Sequence, residues 1–365
     1  MIHRKSVLAL LSVVLTIGTL LTGCNRESGA AAGGVAPDDE KPVFENGALK
    51  PLSDGFPNKT IQLINVQDAG ARDGIYGRAL VAAAKGISPV DVIVLEDPAT
   101  SYGSLYKVEQ RANEPDGRDG YYPLITTLPG LVGDFYQQPV EQELGLTPDD
   151  LNPVINTEVV PYVFIQRKDV PWGPTFQEFV DYAKANPGKA RYVSNQVGTG
   201  NDLAMEWIFA ELGITVNKIP AGGNAESAAA VAAGEGDFTL AQADVALSTW
   251  QSGAVNVTMV TGDTVPKQWA DNKSVVSAEA FGLPPASWGA VMSVLVPSTT
   301  PKSHVNWLYE LFRRAAENPE YTKRADTVPG IKLETKDPDQ TQAVAKDLAE
   351  FVGPIIKRLG LEYQG

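Results

Sequence analysis

Two residue types that many catalytic and metal sites require are nearly missing from this chain. It contains one cysteine, Cys24, and two histidines, His3 and His304. A single cysteine excludes an intramolecular disulfide, and the two histidines support neither a His-based catalytic triad nor a histidine-rich metal site. We expect His304 at the surface, near the start of a helix. No carboxylate, lysine or hydroxyl stands in a recognised catalytic motif. The composition therefore favours a protein that is not an enzyme and has no cofactor or metal.

Positive charge is also scarce. The chain has 30 lysines and arginines against 44 aspartates and glutamates, which gives a formal net charge of −14. Residues 1–23 hold two basic residues and no acidic ones, so their removal would lower that charge to −16. An acidic surface repels a phosphodiester backbone, which argues against nucleic acid as a partner. A small anion remains a suitable ligand if backbone amides and one or two local cations hold it.

The first residues have the pattern of an export leader. Basic residues at the start precede an apolar run, Ser6–Leu20, that is too short for a lasting membrane span. The run is followed by Leu21-Thr22-Gly23-Cys24, which matches a bacterial lipobox. We therefore predict a lipoprotein signal peptide over residues 1–23 and a lipid on Cys24. The alternative is an ordinary buried thiol behind the leader.

The segment that follows Cys24 is rich in glycine, alanine and acidic residues. Such a segment has little apolar surface to bury and does not order itself. We predict that residues 24–55 form a flexible tether, which would hold an exported domain at the bacterial cell envelope, outside the cytoplasm.

Apolar strand-like runs alternate with helical patterns along the rest of the chain, which predicts an α/β protein with mostly parallel sheets. The clearest rhythm runs from Thr175 to Val260, where strands and helices alternate in short units. Before it comes a long β-branched run, Val154–Gln166, interrupted by Pro161. Proline is tolerated where a strand leaves a sheet. This run therefore predicts the crossover from one lobe to another.

Three loops rich in small residues connect a predicted strand to a predicted helix: Gln67–Gly74, Asn195–Asp202 and Pro220–Asn224. Glycine-rich loops of this kind present free backbone N–H groups to an anion at the positive end of a helix. Routine tight turns between strands and helices have the same composition, so each loop taken alone has both interpretations. The second loop lacks the third glycine of a dinucleotide fingerprint, which argues against a Rossmann site.

The order of these motifs resembles the solute-binding receptors of tripartite tricarboxylate transporters. The resemblance runs from about Thr60 to Tyr363 and depends on several motifs in sequence rather than on one of them. They are Pro174–Phe179 with Ala183–Lys189, Gly198–Ala204, Ile219–Gly223, Ala232–Asp237, Ala280–Pro284, Trp288-Gly289 and Leu295–Pro301.

The resemblance implies a two-lobed, periplasmic-binding-protein-like fold, in which mostly parallel sheets flanked by helices surround an interlobe cleft. One lobe is expected over residues 56–160 and 261–365, and the other over residues 161–260. Hinged closure of the lobes around the ligand would follow.

The family's ligand-binding pattern carries over unevenly. Arg72 is a departure that adds a cation to a loop of amides; the alternative is an exposed residue paired with Asp68 or Asp73. The third loop lacks the tyrosine and lysine that are frequent in the family, which suggests a bulkier or less charged ligand. The residues expected to bind the ligand are Gly70, Ala71, Arg72, Asp73, Thr126, Thr127, Gly198, Thr199, Gly200, Asn201, Gly223, Asn224, Gln242 and Trp288.

The function that this resemblance implies is an extracytoplasmic, lipid-anchored receptor that captures a small organic carboxylate and delivers it to the membrane permease subunits of such a transporter. Two alternatives remain open at this stage. One is a receptor, with a sensing role, for phosphate, an amino acid, an aromatic acid or another small solute. The other is an exported hydrolase, against which the scarcity of histidine argues.

Overall fold

Strands and helices alternate along the described chain, as the sequence predicts. The computed structural model describes residues 36–67, 72–99, 103–114, 117–283 and 289–365. These residues belong to a unit that runs from Val35 to Gly365. The strands are β1 (Phe44–Glu45), β2 (Ala48–Leu49), β3 (Ile61–Asn65), β4 (Val92–Glu96), β5 (Leu124–Thr127), β6 (Leu151–Arg167), β7 (Arg191–Ser194), β8 (Asn217–Pro220), β9 (Phe238–Gln242), β10 (Val255–Val260), β11 (Val276–Ser277), β12 (Gly289–Pro297) and β13 (Lys332–Lys336).

The helices lie between these strands and after them. Capping boxes fix the starts of two, through Thr175 and Asp337, and left-handed glycines follow the ends of others, as at Gly213 and Gly234. The helices are α1 (Arg72–Ala84), α2 (Gly103–Ala112), α3 (Leu128–Gln137), α4 (Val140–Leu144), α5 (Phe176–Ala185), α6 (Gly200–Leu212), α7 (Asn224–Ala233), α8 (Ala243–Gln251), α9 (Lys302–Glu317), α10 (Pro319–Thr322), α11 (Arg324–Thr327) and α12 (Pro338–Arg358).

The long strand β6 joins two groups of strands. Its residues 151–161 pair with β12, and residues 162–167 pair with β9 and β10. We call the strands β3, β4, β5, β12 and β13 with the first part of β6 the first half-sheet, and the strands β7 to β11 with the second part of β6 the second half-sheet. Pro161 lies where the neighbours change, a position that suits a residue without an N–H to donate.

The sheets are mixed, which corrects the expectation of mostly parallel sheets. Parallel pairs join β3 to β4 and β5, β7 to β8 and β9, and β10 to β11. Every pairing of β6 or β12 is antiparallel. The short strand–helix repeats in the sequence predict only the parallel pairs. The antiparallel pairs of β6 and β12 join strands that are distant in sequence, so no local pattern predicts them.

Residues 36–55 are folded, which corrects the predicted extent of the tether. Leu49 and Leu52 are buried, and β1 pairs with β2 in an antiparallel hairpin. The indole of Trp307 on α9 donates a hydrogen bond of 2.8 Å to the carbonyl of Lys50. A few well-placed leucines therefore suffice to pack this segment, although its composition is polar. The first part of the predicted tether, with Cys24 and the predicted leader, lies outside the described residues.

His304 is buried, which corrects its expected surface position. Its ring stacks on Phe56 with 3.9 Å between centroids. Its Nε2 lies 2.7 Å from a carboxylate oxygen of Asp54, and its Nδ1 lies 2.8 Å from the carbonyl oxygen of Asp119. Burial opposes ionisation of Asp54, but hydrogen bonds from His304, Phe56 and Ala36 hold the pKa of this carboxyl below its usual value. His304 is therefore part of the packing between α9 and the segment before β3.

Among the described residues, no helix is both long and apolar enough to cross a membrane.

Candidate functional site

A cleft of about 470 Å³ opens where the two half-sheets meet. One wall comes from the loops after β3 and β4 and from the starts of α1 and α2, with α3 beside them. The opposite wall is the loop between β7 and α6, together with Gly222 after β8. The described residues that line this cleft are Val66, Gln67, Asp73, Pro98, Ala99, Ser104, Thr126, Thr127, Gly130, Leu131, Asp134, Gln137, Gln138, Gln196, Val197, Gly198, Thr199, Gly200 and Gly222.

Two helix N-termini face each other across this cleft. A Cβ placed on Gly200 of α6 would lie 3.6 Å from the amide nitrogen of Gly130 in α3, and one on Gly130 would lie 4.0 Å from the amide nitrogen of Gly200. Neither N-cap residue, Thr127 or Thr199, uses its side chain to cap its helix. The N–H groups of the first turn of α6, and those of Leu128 and Gly130 in α3, therefore lack an intrahelical acceptor, whereas Pro129 has no N–H to offer. The two helix dipoles add at one place. We call this pair of helix starts the amide corner.

Buried polar side chains hold the β7–α6 loop in position. The carboxylate of Asp202 accepts hydrogen bonds from the amide of Gly198 at 3.0 Å, from the hydroxyl of Ser194 at 2.9 Å and from the amine of Lys218 at 2.9 Å. Asn201 donates to the carbonyl of Leu240 at 3.0 Å and accepts from the Thr199 hydroxyl at 3.0 Å. Asn201 thus ties the loop to β9 and is not among the residues that line the cleft.

The cleft is acidic. Asp73 is 6% exposed, and Asp134 is half-buried on the face of α3 that borders the cleft. Burial raises the pKa of Asp73 to about 7, against the opposing charge of Arg72. Burial also raises the pKa of Asp134 to about 7. The lining contains no lysine, arginine or histidine among the described residues. An anion in this cleft would therefore depend on amides and hydroxyls.

Arg72, predicted to bind the ligand, is committed to groups of the chain itself, and its burial also contradicts the alternative of an exposed loop residue. It is 6% exposed, and its Nε donates to the side-chain oxygen of Gln242 at 2.8 Å. The same guanidinium forms an ion pair with Asp244 and lies 3.8 Å from a carboxylate oxygen of Glu158. Because Gln242 and Asp244 belong to the second half-sheet and its helix α8, Arg72 links the two half-sheets beside the cleft rather than lining it.

The predicted site residues divide into three groups. The structure brings Asp73, Thr126, Thr127, Gly198, Thr199 and Gly200 together around the cleft. Arg72, Asn201, Gly223, Asn224 and Gln242 are not in the lining; the side-chain oxygen of Asn224 accepts from the amide of Gln242 at 3.1 Å and so supports the adjacent loops. Gly70, Ala71 and Trp288 lie outside the described residues.

Several residues that line the cleft were not predicted from the sequence. Ser104, Asp134 and Gln137 come from helices that carry no loop motif, although the amphipathic pattern of α3 marks a polar face. The Gln137 amide donates to the carbonyl of Gly198 at 3.3 Å and so connects the two walls. Gln196 has a φ of +75°, a left-handed conformation that L side chains seldom adopt. Gln196 lies in the part of the β7–α6 loop that borders the cleft. No sequence pattern predicts its left-handed conformation.

A second cavity, of about 320 Å³, is bordered by β6, β13 and α12. Its lysines already have partners: Lys332 pairs with Asp263 at 2.7 Å, and Lys336 pairs with Glu334. No helix start of the amide corner faces it. The cleft between the half-sheets is therefore the better candidate for an anion.

Comparison with known proteins identifies a family model that covers most of the described chain. The model described as "Tripartite tricarboxylate transporter family receptor" matches residues 101–361. A curated relative from Cupriavidus necator, the UPF0065 protein in the gbd 5′ region, is 28% identical over 270 residues, which are 74% of this chain and 78% of the relative.

Solved structures share the fold at lower sequence identity. MatC from Rhodopseudomonas palustris with bound malate has a TM-score of 0.61 and 20% identity, over 83% of this chain and 98% of that one. R. palustris Rpa4515 with adipate has a TM-score of 0.65 and 19% identity, over 84% and 98%. The periplasmic binding protein BugD has a TM-score of 0.69 and 20% identity, over 85% and 100%. The chain therefore has the periplasmic-binding-protein fold that the sequence predicts.

Proposed function

The chain belongs to the receptor family of tripartite tricarboxylate transporters, and from this premise we propose that it is an exported lipoprotein that captures a small organic carboxylate in the cleft and delivers it to the membrane subunits of such a transporter. The amide corner carries this proposal. Two uncapped helix starts, one from each side of the cleft, supply N–H donors to a carboxylate at a place that lacks competing side-chain caps.

The proposed ligand is held by donors that carry no formal charge. Thr126 and Thr127 border the amide corner and offer hydroxyls, and Gln137 offers an amide; the Thr199 hydroxyl is already used within its own loop. Each contact of an anion with a helix start contributes about 0.3–1 kcal/mol when exposed, and up to about 2 kcal/mol when partly buried. Two helix starts therefore contribute at most about 4 kcal/mol, and the hydroxyls and the Gln137 amide would have to supply the rest of the roughly 8 kcal/mol that micromolar binding requires.

Hinged closure is part of the proposal. The half-sheets share β6, so bending near Pro161 and in the chain that returns after β10 would move the two walls of the cleft towards each other. The closed, ligand-bound form would be the one that the membrane subunits recognise. The lobe bounds proposed from the sequence, residues 56–160 with 261–365 and residues 161–260, place Pro161 at their junction.

A thermal-shift screen followed by calorimetry tests the ligand class. The purified domain is expected to be stabilised by one or more of malate, succinate, adipate and citrate, by about 2.7 kcal/mol at a ligand concentration 100 times the dissociation constant. Adipate and malate are included because two solved structures of this fold contain them. Stabilisation by phosphate alone would favour the alternative anion receptor, and turnover of a carboxylic ester panel would favour the hydrolase.

The lipid anchor is tested separately. Expressed with its leader in a bacterial host, the full chain is expected to enter the detergent phase of a two-phase extraction, whereas Cys24→Ser is expected to remain in the aqueous phase. Equal partition of both proteins would contradict lipidation at Cys24 and leave the ligand proposal untouched.

A further inference from the structure

The second cavity, between β6, β13 and α12, is separate from the cleft. Neighbouring residues of a strand project to opposite faces of its sheet. The Tyr162 hydroxyl of β6 reaches the start of α6 beside the cleft, where a Cβ on Gly200 would lie 2.8 Å from it. Pro161, the residue before Tyr162, borders the second cavity. The cleft and the second cavity therefore lie on opposite faces of β6, and a molecule bound in one does not occupy the other.

The second cavity has the size and the apolar lining of a site for a small organic molecule. Its volume of about 320 Å³ is at the lower end of the range of about 300–1,000 Å³ for small-molecule sites, and about ten times the share of one water molecule in the liquid. The apolar residues of its lining come from β6, β12 and α12; they are Val159, Pro161, Val291, Val344 and Leu348. An apolar ligand body would contact these side chains.

One buried side chain of the lining has an atom without a partner. Asn156 of β6 is fully buried and borders the second cavity. Its Nδ2 donates hydrogen bonds to the carbonyls of Met292 at 2.8 Å and Glu158 at 3.2 Å, which fixes the orientation of the side-chain amide. Its Oδ1 has no hydrogen-bond partner among the described residues. A buried acceptor without a donor is costly. This oxygen therefore favours a ligand that brings an N–H or an O–H.

A second polar group without a partner lies beside Asn156. Ser293 of β12 is directly opposite Asn156 in the antiparallel pairing of β12 with β6, so the two side chains share one face of the sheet with about 4.5–5.5 Å between their Cβ atoms. Val291, two residues before Ser293, borders the second cavity from the same face. The buried Ser293 hydroxyl also has no partner among the described residues. An acceptor beside a hydroxyl matches a group that both donates and accepts, such as an alcohol or a primary amide.

The charged residues of the lining favour a neutral ligand. Lys332 pairs with Asp263 at 2.7 Å, and Lys336 pairs with Glu334. The remaining charged residue of the lining, Asp347, is exposed to solvent on α12. The two buried polar groups are both neutral. A charged group of the ligand would lose its hydration beside them without gaining a counter-charge, which costs free energy.

We propose that the second cavity is a further binding site, for a small neutral molecule with an apolar body and a terminal alcohol or primary amide. The terminal group donates a hydrogen bond to Oδ1 of Asn156, and the Ser293 hydroxyl lies beside it. The apolar body packs on the lining residues of β6, β12 and α12. This site is additional to the carboxylate cleft, and it neither supports nor requires the proposed function.

Nuclear magnetic resonance titration of the ¹⁵N- and ²H-labelled protein tests the site with benzyl alcohol and benzamide as probes. Amide signals of β13 and α12 report on the second cavity, and those of the β7–α6 loop report on the cleft. Both probes are expected to cause saturable shifts in the first set. Shifts confined to the β7–α6 loop would place the probes in the cleft and overturn the proposal, as would the absence of any saturable shift.

Two further probes test the chemistry of the ligand. Toluene lacks the hydroxyl of benzyl alcohol, and benzylamine carries a positive charge at neutral pH in its place. Each is expected to bind at the second cavity about fivefold more weakly than benzyl alcohol, or weaker still, because one hydrogen bond is lost or one charge is desolvated. Binding of toluene as tight as that of benzyl alcohol would contradict the hydrogen bond to Asn156. Binding of benzylamine as tight as that of benzyl alcohol would contradict the selection of a neutral group.

Matched variants on α12 locate the probes. Val344→Phe adds volume to a lining residue and is expected to abolish the shifts of both probes at β13 and α12. Ala343→Phe adds a larger side chain at the preceding position of the same helix, which is exposed and outside the lining, and is expected to leave those shifts unchanged. Wild-type binding in Val344→Phe would show that the probes bind elsewhere.

Asn156→Ala removes the unpartnered oxygen. It is expected to abolish the preference for benzyl alcohol over toluene while leaving toluene binding in place. A preference that survives this substitution would contradict the role of Asn156. Melting temperatures identify a variant that fails to fold; in that case Val344→Phe still decides the location, and the comparison of probes on the wild type still decides the chemistry.

Discussion

At the residue scale, the close approach of α3 and α6 depends on the absence of a side chain at Gly200. A Cβ at this position would lie 2.8 Å from the Tyr162 hydroxyl and 3.1 Å from Cβ of Pro129. The first of these separations is shorter than real Cβ contacts, so either the start of α6 or the Tyr162 side chain of β6 would have to move. Glycine at this position therefore allows the present close approach of the two helix starts.

Gly200→Ala is expected to weaken carboxylate binding about tenfold, which corresponds to about 1.4 kcal/mol. Overpacking also lowers the free energy of unfolding by about 1–3 kcal/mol. Calorimetry and chemical denaturation measure the two effects. Gly262→Ala is the matched control, because its Cβ would meet only ordinary contacts of 3.7 Å or more. An affinity equal to that of the wild type would show that the amide corner does not hold the ligand.

Asp134 is expected to make the ligand-free protein less stable as pH rises. Its pKa is raised by burial to about 7 in the folded protein, above the usual value of an aspartate. Below the pKa that Asp134 has in the unfolded chain, the carboxyl is protonated in both states and its burial does not affect the pH dependence of stability. Between this pKa and the raised pKa of the folded protein, the unfolded state ionises first. The free energy of unfolding therefore falls until the pH passes the pKa of the folded protein. Asp134→Asn removes this slope. Its melting temperature should match the wild type near pH 4 and exceed it near pH 8, whereas parallel curves would contradict the assignment.

At the element scale, the signals that the sequence carries are local ones. Caps and turns such as Thr175, Gly213 and Asp337 predict the ends of α5, α6 and α12 because one side chain or one left-handed residue satisfies the backbone there. The pairing of β6 with β12 was not predictable in this way, since it joins residues more than a hundred positions apart. The same limit applies to the cleft. The glycine loop Asn195–Asp202 predicted the α6 start of the amide corner, whereas the α3 start, Asp134 and Gln137 border the cleft only through the packing of α3.

One buried carboxylate joins three elements of the second half-sheet. Asp237, just before β9, accepts from Arg191 of β7 at 2.8 Å and from Arg167 of β6 at 3.0 Å. Burial opposes its ionisation, but the hydrogen bonds from Arg191 and Arg167 outweigh it and lower the pKa of Asp237. Its contribution to stability is therefore present above the unfolded pKa and is lost as pH falls through the folded value.

Asp237→Ala is expected to lower the free energy of unfolding by about 1–3 kcal/mol, because it removes a buried carboxylate that accepts hydrogen bonds from two partly exposed guanidinium groups. Asp169 is the other carboxylate that pairs with Arg167, and the Asp169 side chain is 80% exposed. Asp169→Ala should therefore lower the free energy of unfolding by no more than about 0.5 kcal/mol. Urea denaturation of both variants measures the difference. A loss of similar size in the two variants would mean that burial does not set the strength of these ion pairs.

At the scale of the whole molecule, Arg72 is placed to sense whether the two walls of the cleft are together. Its contact with Glu158 lies within the first half-sheet, where Arg324 also binds that carboxylate at 2.7 Å. Its contacts with Gln242 and Asp244 cross to the second half-sheet. Opening of the cleft would break the contacts of Arg72 with Gln242 and Asp244 and keep its contact with Glu158. The contacts with Gln242 and Asp244 would therefore favour the closed form.

Asp244→Ala is therefore expected to shift the ligand-free protein towards an open form. The radius of gyration from small-angle X-ray scattering should rise, and the apparent dissociation constant should increase about three- to tenfold, because the closed, binding-competent fraction falls. Saturating ligand should restore the wild-type radius, since binding stabilises the closed form. Glu310→Ala removes ion pairs confined to α9 and should change neither quantity. If Asp244→Ala leaves the radius of gyration unchanged while affinity falls, the ion pair shapes the site locally and does not control closure. If the radius and the affinity both stay unchanged, Arg72 links the half-sheets without affecting binding.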